Sequence, residues 1–253
     1  MKSDCGKLYD LHNHLLFGMD DGAANADDTA AMLQDAAENN IGVIAVTPHT
    51  SDSVNRQVYQ ERLEICSGIA RNYNIELRPG AEYNARHFPA APPYITLGGE
   101  NGKFVLMDFR VPSLPPEFVQ CIDDIFNTGS QLIIAHPERS FPESTFFELE
   151  KLVDAGVVFQ LTAGSLLGNF GRKIRSISWM MLEKNWAKLI ASDAHNVSDR
   201  KNHLAAAYNA VEHRYGAVAA EVLKLNAVKV LDSPGEPLEN MPRHRRLFGW
   251  LGK

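Results

Sequence analysis

The 253-residue sequence has no long hydrophobic run: no stretch of about 18 apolar residues, the length that crosses a membrane, occurs in it. The N-terminal segment MKSDCGKLYDLHNH also lacks an apolar stretch of signal-peptide length. The three cysteines, Cys5, Cys66 and Cys121, are an odd number at wide spacing. This argues against a disulfide framework and against a cysteine-rich zinc module. We therefore expect a cytoplasmic protein without stable membrane insertion.

The sequence also lacks an excess of positive charge, since its net charge is -6. Such a charge gives no long-range attraction to nucleic acid, and we expect no nucleic-acid partner. A phosphate-bearing substrate would need local cations, either arginines or metal ions. The hydrophobic content of 45% is ordinary for a globular protein of this length, which predicts a substantial core.

Seven short runs rich in Val, Ile, Leu and Phe predict buried strands, because each run is continuous rather than alternating. Helical patterns lie between most of them. In the first of these helices, Ala30, Leu33 and Ala37 predict the buried face, and Ser144 is predicted to cap the third helix. The predicted strands are residues 7–12, 41–48, 75–82, 103–109, 131–137, 157–163 and 187–195, and the predicted helices are residues 26–40, 115–129, 144–156, 172–185 and 217–231.

Strand and helix alternate about every 30 residues, which predicts parallel strands joined by right-handed crossovers. No glycine-rich nucleotide loop follows the first strand, so the pattern favours a closed or nearly closed barrel over a doubly wound sheet. No linker separates two domains, and we expect one domain over residues 1–253. The proline-containing, locally basic tail, residues 232–253, is expected outside the barrel core.

Side chains that bind metals concentrate at the predicted strand ends. The carboxyl ends of the strands form the functional face of a parallel barrel. Five of the nine histidines lie within about two residues of such an end, and two pairs are spaced i and i+2, which places both members on one face of an extended segment. Each residue alone could be structural, but together they predict a metal site. The candidates are His12, His14, His49, Glu82, Asp108, His136, Asp193 and His195, with the DDG turn nearby.

The predicted ligands are imidazoles and carboxylates without thiolates, which suits Mn²⁺, Fe or Zn²⁺. They exceed one tetrahedral site by at least a factor of two, so two or three ions are implied, and Glu82 is available as a bridge. Clusters of this kind mainly hydrolyse esters or phosphoesters. Arg139 and Arg200 follow two of the strand ends and offer bidentate binding to phosphate oxygens.

The ordered motifs HNH, DDG, TPH, GAE, AHPER and SDAHN resemble the polymerase-and-histidinol-phosphatase (PHP) superfamily. DDG and HPER are similar to the manganese-dependent protein-tyrosine phosphatases encoded with bacterial capsule and exopolysaccharide genes. The resemblance extends from residue 8 to about residue 230. It implies a distorted (β/α)7 TIM-like barrel, the PHP fold, that holds three Mn²⁺ ions.

By motif position, the resemblance also assigns the ligands, the phosphate-binding residues Arg139 and Arg200, and a substrate. Asp108 stands where this group often has glutamate, and its side chain is one methylene shorter. Asp21 is expected to reach an ion, whereas Asp20 is expected to be a turn residue. The expected ligand groups are His12, His14, Glu82 and Asp193 for the first ion, Glu82, Asp108 and His136 for the second, and Asp21, His49 and His195 for the third.

The implied substrate is the phosphotyrosine tail of a bacterial tyrosine kinase that controls polysaccharide synthesis. Phenolate is an easier leaving group than an alkoxide, because tyrosine has a pKa of about 10, so no general acid is assigned. A small-molecule phosphatase acting on histidinol phosphate or a sugar phosphate is the alternative.

Three other classes of protein fit the sequence less well. A cysteine-dependent phosphatase needs an arginine six residues after its cysteine, and Leu11, Asn72 and Asn127 stand there instead. An amide or ring hydrolase often uses a carboxylated lysine at strand four, where Asp108 stands. If the protein were a non-enzymatic domain that metal ions stabilise, its metal site should be closed to substrate. Separately, the basic, apolar end of the tail could make a weak contact with an anionic membrane surface.

Overall fold

The computed structural model describes residues 6–50, 55–88, 94–109 and 116–242, in which strands and helices alternate along the chain. The strands are β1 (Leu8–Asn13), β2 (Ile41–Val46), β3 (His49–Thr50), β4 (Glu76–Pro79), β5 (Glu82–Asn84), β6 (Phe104–Asp108), β7 (Gln131–Ala135), β8 (Val158–Thr162) and β9 (Ala187–Ala191). The helices are α1 (Ala26–Glu38), α2 (Arg56–Ala70), α3 (Pro116–Asn127), α4 (Pro137–Ser140), α5 (Phe146–Asp154), α6 (Ala163–Leu167), α7 (Arg172–Glu183), α8 (Leu204–Tyr215) and α9 (Ala217–Asp232).

All seven predicted strands are present, but the second is shorter than predicted and the third is interrupted. The second forms β2 and ends before Pro48, which has no N–H to donate to a ladder, and the short strand β3 follows beyond the predicted run. The third divides into β4 and β5 around Gly80, whose backbone N–H and C=O both bond to the Tyr59 hydroxyl, at 3.0 and 2.9 Å. A Cβ at Gly80 would lie only 2.8 Å from the Leu97 side chain. The close packing explains why glycine stands at this interruption.

Every pair of named strands is parallel, as predicted for an α/β protein. The interruptions divide the strands into a three-stranded sheet, β1-β2-β4, and a six-stranded sheet, β3-β5-β6-β7-β8-β9. The first and last strands are also neighbours, because Asn13 forms a parallel bridge with Ala194. The Asp193 N–H donates to the His12 carbonyl at 2.9 Å, and the His14 N–H donates to the Ala194 carbonyl at 2.9 Å.

Alternate residues of the strands meet in one interior apolar cluster. Val105 and Met107 of β6 face the helices instead and belong to a second, larger cluster. This two-sided burial explains the continuous apolar runs in the sequence, and each fully buried Leu, Ile or Phe contributes about 1.5–3 kcal/mol. The interior cluster, to which α9 also contributes, consists of Leu11, Val43, Ala45, Leu97, Phe104, Leu106, Ile133, Ala135, Val158, Leu189, Ala191, Ala227, Val230 and Leu231.

Two of the predictions about helices are wrong in detail. The buried face of α1 contains the predicted Leu33, but Ala30 and Ala37 are only half-buried, since the face is centred about one residue earlier, on Thr29, Met32, Leu33 and Ala36. Ser144 does not cap α5: it lies in a 3-10 turn, Glu143–Thr145, and no side chain caps the helix. The Thr145 backbone N–H and hydroxyl bond to the Pro142 carbonyl, which closes this turn before α5 begins.

Part of the tail packs against the domain on its helix-facing side. Met241 is buried in the larger apolar cluster. Asn226 of α9 bonds to both backbone groups of Glu239, at 2.8 and 2.9 Å. The basic run that could contact a membrane falls at 243–253, outside the described residues. No helix of the described ranges is long and apolar enough to span a bilayer.

Candidate metal centre

The structure brings the predicted metal-binding side chains together at the carboxyl ends of the strands. Their placement follows from the alternation of the strands, in which residues i and i+2 share a face. Asp108 follows the interior residue Leu106 at this spacing, and Asp193 likewise follows Ala191. The cluster of candidate ligands therefore sits directly above the interior apolar cluster, in the position that the sequence predicts.

Glu82 lies at the centre of the cluster and is fully buried. Its Oε2 lies 2.8 Å from His49 Nδ1, 3.2 Å from His12 Nε2 and 3.4 Å from His14 Nε2. Its Oε1 lies 2.9 Å from His136 Nε2. One carboxylate therefore faces four imidazoles, two from the strands β1 and β3 and two from the residues that directly follow β1 and β7. This is the geometry expected of a bridging carboxylate.

Asp193 and His195 complete the cluster from the segment after β9. Asp193 Oδ1 lies 3.6 Å from His12 Nε2 and 3.5 Å from His14 Nε2. The His195 ring stacks on the His14 ring, with 3.8 Å between centroids. Asp21 Oδ1 lies 3.4 Å from the Nε2 atoms of both His49 and His195. The Asp21 side chain is 63% exposed, so this edge of the cluster is open to solvent.

Two of these residues have a left-handed backbone, which is uncommon for residues other than glycine. His136 has a φ of 36° and Asp193 a φ of 53°. Cross-strand hydrogen bonds hold both: the His136 N–H donates to the Gln160 carbonyl at 2.8 Å, and the Asp193 N–H donates to the His12 carbonyl at 2.9 Å. Strained backbone that is held in this way clusters at functional sites.

The donor atoms form three groups, each compact enough to hold an ion. Eight of the nine predicted ligands belong to them, although the division differs from that implied by motif position. Asp108 is the ninth, and its Oδ1 lies 3.7 Å from His136 Nδ1. The groups are His14, Asp21, His49 and His195; His12, Glu82 and His136; and His12, His14 and Asp193.

The residues fit a metal centre by two independent observations. His195 Nε2 is buried without a hydrogen-bond partner among the described residues, and the nearest polar atoms to the buried Glu82 Oε2 are imidazole nitrogens. Buried polar atoms normally have partners, and an ion would supply one. The donors are nitrogen and oxygen only, which suits Mn²⁺, Fe or Zn²⁺. Cys66 and Cys121 lie away from them, on α2 and α3.

The charges of the cluster are strongly coupled. Burial alone would lower the pKa of His14, but the carboxylates of Asp193 and Asp20 outweigh it and raise this pKa to about 10. Burial would raise the pKa of Glu82, but His12 outweighs it and holds this pKa well below its usual value. Burial and the charge of His14 lower the pKa of His195 to about 3. The buried carboxylates thus attract cations, protons or metal ions alike.

Arg139 and Arg200 both approach the cluster through Asp193. The Arg200 Nη2 atom lies 3.1 Å from each oxygen of this carboxylate, and Arg139 Nη2 bonds to Oδ2. Arg200 Nη1 lies 3.8 Å from Asp21 Oδ2. Both guanidinium groups are therefore at the metal-binding face, as predicted. There, phosphate oxygens could accept hydrogen bonds from the N–H groups that Asp193 does not use.

Asp20 has a larger role than that of a turn residue. Its Oδ1 accepts from the Gly22 N–H at 2.9 Å, as expected for the turn, but its Oδ2 accepts from His14 Nδ1 at 2.6 Å and from the His49 N–H at 2.9 Å. Burial would raise the pKa of Asp20, but His14 and these N–H groups outweigh it and lower this pKa. Asp20 therefore orients His14 so that its Nε2 faces the cluster.

Two further residues that orient the site are not evident from the sequence. Gln160 of β8, the strand without an obvious ligand, accepts from His12 Nδ1 at 2.9 Å and leaves Nε2 facing the cluster. Asp10 is fully buried and accepts from the Ser192 N–H at 2.8 Å, the Ser192 hydroxyl at 2.5 Å and the Asn202 amide at 3.1 Å. The feature of the sequence that could have identified Gln160 and Asp10 is that each is a polar residue inside an apolar run.

We expect Asp20→Asn to lower kcat/KM about 10- to 100-fold, the usual cost of removing a group that orients a metal ligand. Asp21→Asn should cost more, because Asp21 belongs to one of the donor groups. Both variants should need more metal for half-maximal activity. Asp27→Asn, at an exposed position on α1, is the matched control. If Asp20→Asn behaves like Asp27→Asn, the orienting role is wrong.

Comparison with known proteins identifies relatives over nearly the whole chain. Tyrosine-protein phosphatase YwqE of Bacillus subtilis (strain 168) is 30% identical over 260 residues, which cover 96% of this chain and 100% of YwqE. The putative tyrosine-protein phosphatase CapC of Staphylococcus aureus is 29% identical over 211 residues, which cover 80% of this chain and 82% of CapC.

Solved structures show the same relationship. The crystal structures of YwqE from Bacillus subtilis and CpsB from Streptococcus pneumoniae, described as unique metal-dependent tyrosine phosphatases, include a chain that matches with a TM-score of 0.79 and 28% identity, covering 92% of this chain and 100% of that one. A mutant organophosphorus hydrolase from Deinococcus radiodurans has a TM-score of 0.55 at 10% identity, covering 90% of this chain and 92% of that one, which is a likeness of fold alone.

The model of one family, described as capsular polysaccharide synthesis, CpsB/CapC, matches residues 8–232. This range contains every candidate ligand and both arginines. The chain belongs to the CpsB/CapC family.

Proposed function

We propose that the protein is a metal-dependent protein-tyrosine phosphatase. The observation that carries this proposal is the convergence of four imidazoles on Glu82 beside two arginines that share Asp193. An ion cluster next to guanidinium groups suits a phosphate ester, since both stabilise the charge of a phosphoryl group in transfer. The relatives named tyrosine-protein phosphatases support the phosphotyrosine substrate.

We assign the metal ligands to the nine side chains predicted from the sequence. Two or three ions are proposed, with Mn²⁺ as the metal and Fe or Zn²⁺ as chemically compatible substitutes. The proximity of the donor atoms supports eight of these assignments, and the position of Asp108 beside His136 supports the ninth. The ligands are His12, His14, Asp21, His49, Glu82, Asp108, His136, Asp193 and His195.

When bound, the ions supply Lewis acidity that activates water and neutralises phosphate charge. Arg139 and Arg200 hold the phosphoryl oxygens through N–H groups that Asp193 leaves available, and Asp193 keeps both guanidinium groups at the site. Water attacks phosphorus, the bond from phosphorus to the tyrosyl oxygen breaks, and phenolate leaves and takes a proton from solvent. Because the phenol of tyrosine has a pKa of about 10, phenolate leaves without a strong general acid.

We further propose that the substrate is the phosphotyrosine tail of a bacterial tyrosine kinase that regulates capsular or exopolysaccharide synthesis. Membership of the CpsB/CapC family supports the link to capsular polysaccharide. The whole chain is proposed to form one domain, a distorted seven-unit barrel. The bridge between Asn13 and Ala194 and the interior cluster shared by six strands support this closure.

The competing hydrolytic mechanisms find no support in the described residues. Burial raises the pKa of the Cys66 thiol and, together with Asp124, that of Cys121 to about 11, so neither is a ready thiolate nucleophile. Lys103 precedes β6, at the end opposite to Asp108, which is the wrong end for a bridging carboxylated lysine.

Steady-state kinetics of the Mn²⁺-loaded protein on a phosphotyrosine peptide and on histidinol phosphate test the proposal. We expect the higher kcat/KM on the peptide, and we expect it to fall at least about 100-fold in His136→Ala. His213→Ala, at an exposed position on α8, is the control. A preference for histidinol phosphate would make the protein a small-molecule phosphatase. If the protein has no phosphatase activity, or none that His136→Ala removes, the metal site has only a structural role in a non-enzymatic domain.

A further inference from the structure

An exposed aromatic ring lies beside the candidate phosphate-binding residues. Phe170 is in the short turn between α6 and α7, and 38% of its surface is exposed. The Arg139 guanidinium carbon lies 4.7 Å from the centroid of its ring. Single exposed apolar side chains are common on protein surfaces, so the significant feature of Phe170 is its position beside Arg139 rather than its exposure.

The position of Phe170 is fixed by its own turn. The Asn169 N–H donates to the Gly164 carbonyl at 2.9 Å, and the Gly171 N–H donates to the Gly168 carbonyl at 2.9 Å. The Asn169 amide nitrogen lies 2.7 Å from His203 Nε2, which ties the turn to the start of α8. The ring edge rests on Gly164, where an added Cβ would lie 3.3 Å from Phe170 Cε2. These contacts therefore fix the position of the exposed ring surface relative to the metal-binding face.

Phe170 lines a small cavity, about 10 Å³ in volume, with one of the two candidate phosphate-binding residues, Arg200. Its ring lines this cavity together with Gly164, Asp193 and Arg200. A space of this size holds about one water molecule and is too small for an aromatic ring, so a substrate ring has to contact the exposed surface of Phe170 instead. Arg139 lies beside the Phe170 ring and offers a contact for an anion next to this aromatic surface, a pairing that suits a ligand combining an anion with an aromatic ring.

We propose that Phe170 forms a subsite for the tyrosyl ring of the substrate and is a specificity-determining residue. This inference rests on the proposed phosphatase function. A substrate ring that packs on Phe170 while its phosphate binds Arg139 and Arg200 would lie about 4.5–7 Å from Phe170 between centroids, the separation at which aromatic rings pack favourably. An aliphatic phosphate ester carries no ring and gains nothing from this contact. The subsite therefore selects aryl over alkyl phosphates.

The test compares wild type, Phe170→Ala, Phe170→Tyr and the control Phe147→Ala. Phe147 is 67% exposed on α5 and packs against Lys151. We expect Phe170→Ala to raise KM for a phosphotyrosine peptide about 5- to 20-fold. Its KM for glycerol phosphate and the inhibition constant of inorganic phosphate should remain as in wild type. Phe170→Tyr should restore the low KM, and Phe147→Ala should resemble wild type.

Two results would overturn the subsite. An unchanged KM for the peptide in Phe170→Ala shows that the substrate ring does not contact Phe170. An equal loss of affinity for peptide and inorganic phosphate shows that Phe170 acts only by holding Arg139. Both results require a wild-type enzyme that hydrolyses the peptide, so they are distinguishable from failure of the proposed function, in which wild type itself is inactive on phosphotyrosine.

Discussion

Glu82→Gln should reduce kcat/KM on a phosphotyrosine peptide by about 1,000-fold or more, since it removes the charge that faces four imidazoles. Metal ions supply several kcal/mol of transition-state stabilisation, and each 1.36 kcal/mol is worth about tenfold in rate. Glutamine has nearly the same shape as glutamate, so the apolar surroundings of the side chain are preserved. The effect is expected on metal content and activity together.

Activity and bound metal are therefore measured on the same preparations. Glu76→Gln, which alters an exposed side chain on β4, is the matched control and should retain both. A folded Glu82→Gln variant that retains wild-type metal content and activity would contradict the central position of this carboxylate. Circular dichroism distinguishes loss of the site from loss of the fold.

Arg139→Ala should lower kcat/KM about 100- to 1,000-fold while leaving the metal content unchanged. Removal of one preorganised donor to a developing charge typically has this cost. Arg139→Lys should recover only part of the loss, because an ammonium group lacks the planar pair of N–H donors. Arg200→Ala should behave similarly, since Arg200 approaches Asp193 from the same face.

Kinetics and elemental analysis of the same samples separate binding of substrate from binding of metal. Arg175→Ala, an exposed arginine on α7, is the control. If Arg139→Ala loses metal in proportion to activity, Arg139 acts by positioning Asp193 rather than by binding phosphate. If kcat/KM stays within a fewfold of wild type, the assignment of Arg139 is wrong.

The order of the strands was predictable because both faces of most strands are buried, and such strands read as continuous apolar runs. The interruption at Gly80 and the short strand β3 were not predicted, since the third apolar run continues through Gly80 and the second run ends at Pro48. Only tertiary contacts, such as the bond from the Tyr59 hydroxyl to Gly80, show where the sheet divides. The error of about one residue in the buried face of α1 has the same origin: small alanines mark the helix but do not fix its rotation.

The candidate ligands were predictable because strand ends converge in a parallel α/β fold, whichever residues separate them in sequence. The residues that orient them were not. Asp20 was expected to serve only the turn, and Gln160 was on a strand with no expected ligand, yet each holds the far nitrogen of an imidazole. Such partners are selected by distance in three dimensions, and the sequence gives no spacing rule for them. The left-handed backbone conformation of His136 and Asp193 was likewise not predictable from the sequence.

The central claim is that the cluster around Glu82 holds the metal ions on which phosphotyrosine hydrolysis depends. Elemental analysis of the purified, active protein tests it most directly, with activity measured on the same sample before and after chelation. We predict two or three equivalents of Mn²⁺ or Fe per chain, and loss of activity when they are removed. One equivalent of Zn²⁺, or full activity without metal, would contradict the account.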